Sequence, residues 1–137
     1  PGTGPVAEHP LRSSNDMARL RPLEFDDIAY VIDTVDLLVA ELDVPLLAFA
    51  GAPFTVASYL IEGRPSKDYR QTKALIHTDE VLWHEVMERL AESAITFIDA
   101  QLSHGAAAYQ LFDSWGGSLS RRDYDRDVLP HSRHVFR

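Results

Sequence analysis

Pro45-Leu46-Leu47-Ala48-Phe49-Ala50, running into Gly51-Ala52-Pro53-Phe54-Thr55, is a short apolar run that ends abruptly in small residues and a proline. A second run of the same kind, Ala107-Ala108-Tyr109-Gln110-Leu111-Phe112, gives way to Asp113-Ser114-Trp115-Gly116-Gly117. Apolar runs of this length bounded by turn residues read as strands. A long helical stretch separates them, which predicts consecutive parallel strands of one sheet. Both are apolar throughout rather than alternating, so both sheet faces are expected to be covered. Ligands of parallel sheets bind beyond the carboxyl ends of the strands. Both of these ends carry hydroxyl donors (Thr55, Ser58, Tyr59, Ser114) beside an aromatic ring (Phe49, Phe112), which marks a candidate site.

Working outward, residues 1–12 are rich in proline and glycine and read as loop. Ser14 is placed to cap a short helix that ends before Pro22. From Asp26 to Leu42 the apolar residues Ile28, Val31, Ile32, Val35, Leu38, Val39 and Leu42 recur every three or four positions, a continuous helical stripe. Pro53 suits the first turn of a helix reaching Glu62, and Gly63 suits its end. A helix from Ser66 to about Ile76 is expected next. Thr78, Asp79 and Glu80 open the longest helix, whose stripe Trp83, Val86, Met87, Leu90, Ala94, Phe97, Ile98, Gln101 closes at Gly105. Ser120 and Asp123 form a capping pattern for a last helix that Pro130 interrupts or kinks. Alternation of helix and strand in this order defines an α/β protein built of βαβ units.

Composition narrows the function. Of 137 residues, 13 are basic and 21 acidic, a formal charge of −8, which disfavours nucleic acid and anionic membrane surfaces as partners. No basic cluster that offsets this charge is visible along the chain. Cysteine is absent, so disulfides and thiolate metal sites are excluded, as suits a cytoplasmic protein. No apolar run approaches the roughly 20 residues that span a bilayer. The chain opens without methionine and stops at Val135-Phe136-Arg137 inside a helical pattern, so a segment truncated at both ends is expected.

Each candidate has a plain structural alternative. Tyr59 is either a phenolic donor above the sheet or a ring packed on a neighbouring helix. Ser114 is either a ligand-binding hydroxyl or a turn serine, and Phe-Asp-Ser-Trp-Gly lacks the Gly-x-Ser-x-Gly elbow of a hydrolase nucleophile. Asp113 is either a general acid or a loop-bonding group. Phe49 and Phe112 are either a stacking platform or core. His84-Glu85-Val86-Met87-Glu88 ends in Glu where a zinc-protease helix needs His, and no metal is expected there. His104 suits a helix carboxyl end. Gly2-Thr3-Gly4 is too short to cradle a phosphate. No residue is assigned a catalytic role from these patterns.

Phe49-Ala50-Gly51-Ala52-Pro53-Phe54-Thr55 with Ser58-Tyr59-Leu60-Ile61-Glu62-Gly63, and Gln110-Leu111-Phe112-Asp113-Ser114-Trp115-Gly116-Gly117, resemble two signatures of the uroporphyrinogen decarboxylase family. Leu129-Pro130 and the Pro1–Pro5 loop fit the same family. The resemblance implies a partial (β/α)8 TIM barrel, with residues 1–137 as the middle segment of one domain and two to three βα units. It implies a cytoplasmic, homodimeric decarboxylase of haem biosynthesis, needing no cofactor, that converts the acetates of the tetrapyrrole uroporphyrinogen to methyls. By family position Tyr59 and Ser114 bind substrate, with Phe49 and Phe112 in apolar contact with the macrocycle. The family's pyrrole-binding aspartate, amino-terminal arginines and carboxyl-terminal histidine are expected outside residues 1–137, leaving the segment inactive alone. A corrinoid or coenzyme M methyltransferase of the same superfamily, and a non-catalytic fragment acting as an interaction module, are the alternatives.

Overall fold

The computed structural model describes residues 6–136, so the expectations for Gly2-Thr3-Gly4 and the Pro1–Pro5 loop lie outside the described residues. The elements are α1 (Ala29–Glu41), β1 (Leu47–Gly51), α2 (Pro53–Glu62), α3 (Arg70–Thr78), α4 (Glu80–Ser103), β2 (Ala108–Phe112), α5 (Arg121–Asp127) and α6 (Leu129–Val135), with 3-10 turns at Ser14–Arg19, Phe25–Ile28 and Gly116–Ser118. β1 and β2 pair in parallel, Leu47 opposite Ala108 through Gly51 opposite Phe112, as the two apolar runs predict.

The core forms where α4 meets its neighbours. Trp83, Leu82, Val86 and Met87 on α4 are fully buried against Phe54 and Ile61 of α2 and Val128. The Trp83 indole N–H donates to the Asp127 carbonyl at 2.9 Å, so the largest core side chain is also satisfied as a donor. Further along α4, Ala91, Ala94 and Ile98 lie against Ala50 of β1 and Val135 of α6. Small residues on both sides let helix and sheet approach closely.

The expectation that both sheet faces are covered is not met among the described residues. Ala48 and Ala50 are buried under α4, with Tyr109 and Leu111 half-buried beside them. The opposite face carries Leu47, Phe49 and Phe112 at 59%, 61% and 50% exposure. Apolar residues on both faces of a strand reported a demand for cover, while the described helices supply it on one side. The α1 stripe shows the same partial cover: Ile28 and Val35 are buried, Leu38, Val39 and Leu42 exposed.

Helix ends follow local chemistry. Gly63 caps α2 at φ 76°, and Asp79 caps α4 by accepting the Leu82 N–H at 3.0 Å. Ser13, rather than Ser14, caps the first turn, joined to Asp16 at 2.7 Å. α3 starts four residues after Ser66, because Ser66 Oγ accepts the Tyr69 N–H at 3.0 Å and Tyr69 adopts φ 51°. The break between α5 and α6 falls at Val128, and Pro130 sits in the first turn of α6, where no N–H is needed.

Candidate functional site

The two strands deliver their corners to one end of the sheet. The Ala52 N–H donates to the Phe112 carbonyl at 2.8 Å, so the ladder continues one residue past β1. Pro53 then starts α2 with its φ already helical. A Cβ on Gly51 would sit 2.9 Å from Val56 Cγ2, which is why glycine stands at this corner.

The four hydroxyls of the corners divide into two kinds. Ser58 is fully buried and donates back to the Phe54 carbonyl at 2.8 Å, so it faces the core and not a ligand. Thr55 is buried and donates to Asp113 Oδ1 at 3.1 Å. Ser114 is exposed, and Tyr59 is half-buried. The Tyr59 ring rests on Trp115 with centroids 4.1 Å apart, and Trp115 also meets Tyr69 at 5.2 Å. That stack puts Tyr59 beside the residue that follows Ser114. Tyr59 is thus a packed ring that is not fully buried.

Asp113 is a loop-bonding group. Its Oδ1 accepts from Thr55 and its Oδ2 from the Tyr124 phenol at 3.0 Å. Burial, and then the Asp113 charge, push the Tyr124 phenol up, which keeps it a neutral donor. Phe49 and Phe112 meet edge to face across the open side of the sheet, ring centroids 6.0 Å apart. Both rings lie on the sheet face that no described helix covers.

Other groups lie away from these corners. His84 and His131 share a hydrogen bond at 2.8 Å between α4 and α6. His104 caps α4 and bonds Asp36 at 2.8 Å rather than acting through the helix end alone. Among the described residues no group of three or more His, Cys, Asp or Glu has the arrangement to hold a metal ion, and no helix is long and apolar enough to cross a membrane. Arg12, Arg64, Lys67 and Arg70 line a cleft of about 320 Å³ together with Glu62 and Asp68. Arg12 reaches it from fifty residues away by donating to the Glu62 carbonyl at 3.3 Å, a convergence invisible along the chain. Trp115, Tyr69 and Tyr124 were also missed as site neighbours. Trp115 lay inside the quoted motif, whereas nothing in the sequence joined Tyr69 or Tyr124 to it.

Polar and aromatic groups thus lie beyond the carboxyl tips of two parallel strands in an α/β arrangement, the place where parallel sheets bind their ligands. The chain belongs to the uroporphyrinogen decarboxylase family: the family model "Uroporphyrinogen decarboxylase (URO-D)" matches residues 1–137. It is similar to proteins named uroporphyrinogen decarboxylase from Streptomyces avermitilis (52% identical over 137 residues, 99% of this chain and 39% of that protein). Those from Streptomyces coelicolor (53%, 99% and 39%) and Salinispora tropica (52%, 99% and 37%) are similarly related. The chain thus spans less than two-fifths of the length of these curated relatives.

Proposed function

We propose that this chain forms one side of the substrate cleft of a uroporphyrinogen decarboxylase, a carboxy-lyase whose (β/α)8 barrel is completed by further βα units. The observation that carries the reading is the family match along the whole chain, with the named relatives about half identical to it. Those names support a decarboxylase over a corrinoid or coenzyme M methyltransferase or an interaction module. The open sheet face is consistent with a barrel interior.

The reaction needs an electron sink. Protonating a pyrrole carbon lets the ring accept the bonding pair as carbon dioxide leaves the acetate. A proton on the methylene then gives the methyl, and the ring proton is lost. The protein's contribution is to hold the ring, aim the acetate and stabilise a transient cation. On this reading the Phe49–Phe112 pair contacts the macrocycle, the Tyr59 phenol bonds near the reacting ring, and Ser114 Oγ bonds a substrate carboxylate. The cations of the Arg12–Arg70 cleft offset part of the charge that would repel a polycarboxylate. The remaining site groups come from outside residues 1–137, and the enzyme works as a cytoplasmic homodimer. Incubating the full-length protein with uroporphyrinogen tests this: coproporphyrinogen and carbon dioxide are expected, and intact substrate would refute it.

A further inference from the structure

We propose that Asp113 is a positioning residue, which fixes the exit turn of β2 so that Ser114 Oγ faces the substrate; this rests on the decarboxylase reading above. Two distant stretches of chain meet on its carboxylate. Thr55 comes from the first turn of α2, and Tyr124 comes from α5. The turn itself is closed by the Gly116 N–H on the Asp113 carbonyl at 3.3 Å. A Cβ on Gly116 would lie 2.9 Å from Asp113 Oδ2 and 3.0 Å from Tyr124 Cε2, so the clamp needs glycine at that place. Each carboxylate oxygen accepts one hydroxyl, Oδ1 from Thr55 and Oδ2 from Tyr124. Ser114 follows the clamped residue directly, and Trp115, next again, is wedged between Tyr59 and Tyr69. The backbone of Ser114 is thereby held from both flanks while its side chain stays exposed.

The test measures kcat and KM of the full-length enzyme on uroporphyrinogen for Asp113→Asn, Asp113→Ala, Ser114→Ala and the Asp113→Ala/Ser114→Ala pair. Misplacement of a binding group costs up to about 100-fold, so Asp113→Ala is expected to lower kcat/KM about 10- to 100-fold. Asp113→Asn, which keeps one acceptor, should recover part of it. Because Asp113 acts through Ser114, the paired variant should fall within about 2-fold of Ser114→Ala alone. Losses that multiply, or wild-type turnover in Asp113→Ala, would overturn the proposal. So would an Asp113→Asn variant as impaired as Asp113→Ala that also loses a limb of the pH–rate profile, since that marks a proton donor. Should Asp113→Ala not fold, Thr55→Val/Tyr124→Phe removes both donors and keeps the carboxylate. The same loss is then expected, and unchanged turnover refutes the clamp. A wild-type enzyme that leaves uroporphyrinogen intact sinks the decarboxylase reading itself and is seen before any variant is made.

Discussion

Phe49 and Phe112 are diagonal neighbours across the sheet: the register sets Phe49 opposite Gln110 and Phe112 opposite Gly51, yet the two rings meet at 6.0 Å. Diagonal pairs lie within reach of large side chains, and glycine opposite Phe112 leaves the ring free of a direct cross-strand partner. Among the described residues the pair stands on the uncovered face of the sheet.

That placement separates function from stability. Phe49→Ala and Phe112→Ala in the full-length enzyme are each expected to raise KM for uroporphyrinogen about 10-fold, the upper range of an aromatic contact. On the platform reading the melting temperature should move little. Steady-state kinetics beside a thermal melt distinguishes this from a core role, which would lower the melting temperature and leave KM alone.

Tyr59→Phe and Ser114→Ala remove a single hydroxyl each. kcat/KM should fall about 10- to 100-fold, the worth of one hydrogen bond to a charged group, with Tyr59→Phe keeping the stack on Trp115. Unchanged kcat/KM in both, measured at saturating and limiting substrate, would return them to packing and turn roles.

Trp83 supplies a stability test. Trp83→Phe leaves the Asp127 carbonyl without its indole donor and should cost about 1–3 kcal/mol. Trp83→Ala should cost about 3–5 kcal/mol through the cavity it opens. Urea unfolding of the full-length protein reads both.

The α4–α6 contact carries a pH dependence. Burial, and then the charge of His84, hold His131 below its usual value, with His134 acting the same way and Glu88 opposing. A depressed folded value means the unfolded chain binds more protons, so stability rises with pH across this window. The contribution is complete above the ordinary histidine value of about 6.5 and is lost as pH falls through the folded value. Melting temperatures taken from pH 8 down to about 5 should decline, and His131→Gln should flatten that decline.

Gly63 stands at φ 76°, and a Cβ there would come within 2.5 Å of Pro10 Cγ. Gly63→Ala should destabilise by at least about 1–2 kcal/mol, visible as a lower urea midpoint. A neutral result would refute both the left-handed strain at Gly63 and the Pro10 contact.

The strands, the 24-residue α4 and the caps at Gly63 and Ser120 were legible because periodicity and turn chemistry act over a few residues. The parallel pairing followed from the crossover length. What escaped was long-range. Arg12 joining Arg64 and Lys67, Tyr124 reaching Asp113, and Tyr69 against Trp115 each depend on packing of distant segments. Ser58 and Tyr59 differ by one residue, yet their helix turns one inward and leaves the other half open. Which of the two hydroxyls stays outside the core was beyond a reading of residue types alone.

The chain's two tryptophans report on different things. Trp83 sits in a dry interior and should emit at short wavelength, changing only when the structure melts. Trp115, half-buried between two tyrosines beside the strand tips, should respond to whatever settles there. Fluorescence of this one chain can thus follow occupancy and unfolding as two distinguishable signals, with Trp83→Phe and Trp115→Phe assigning each band.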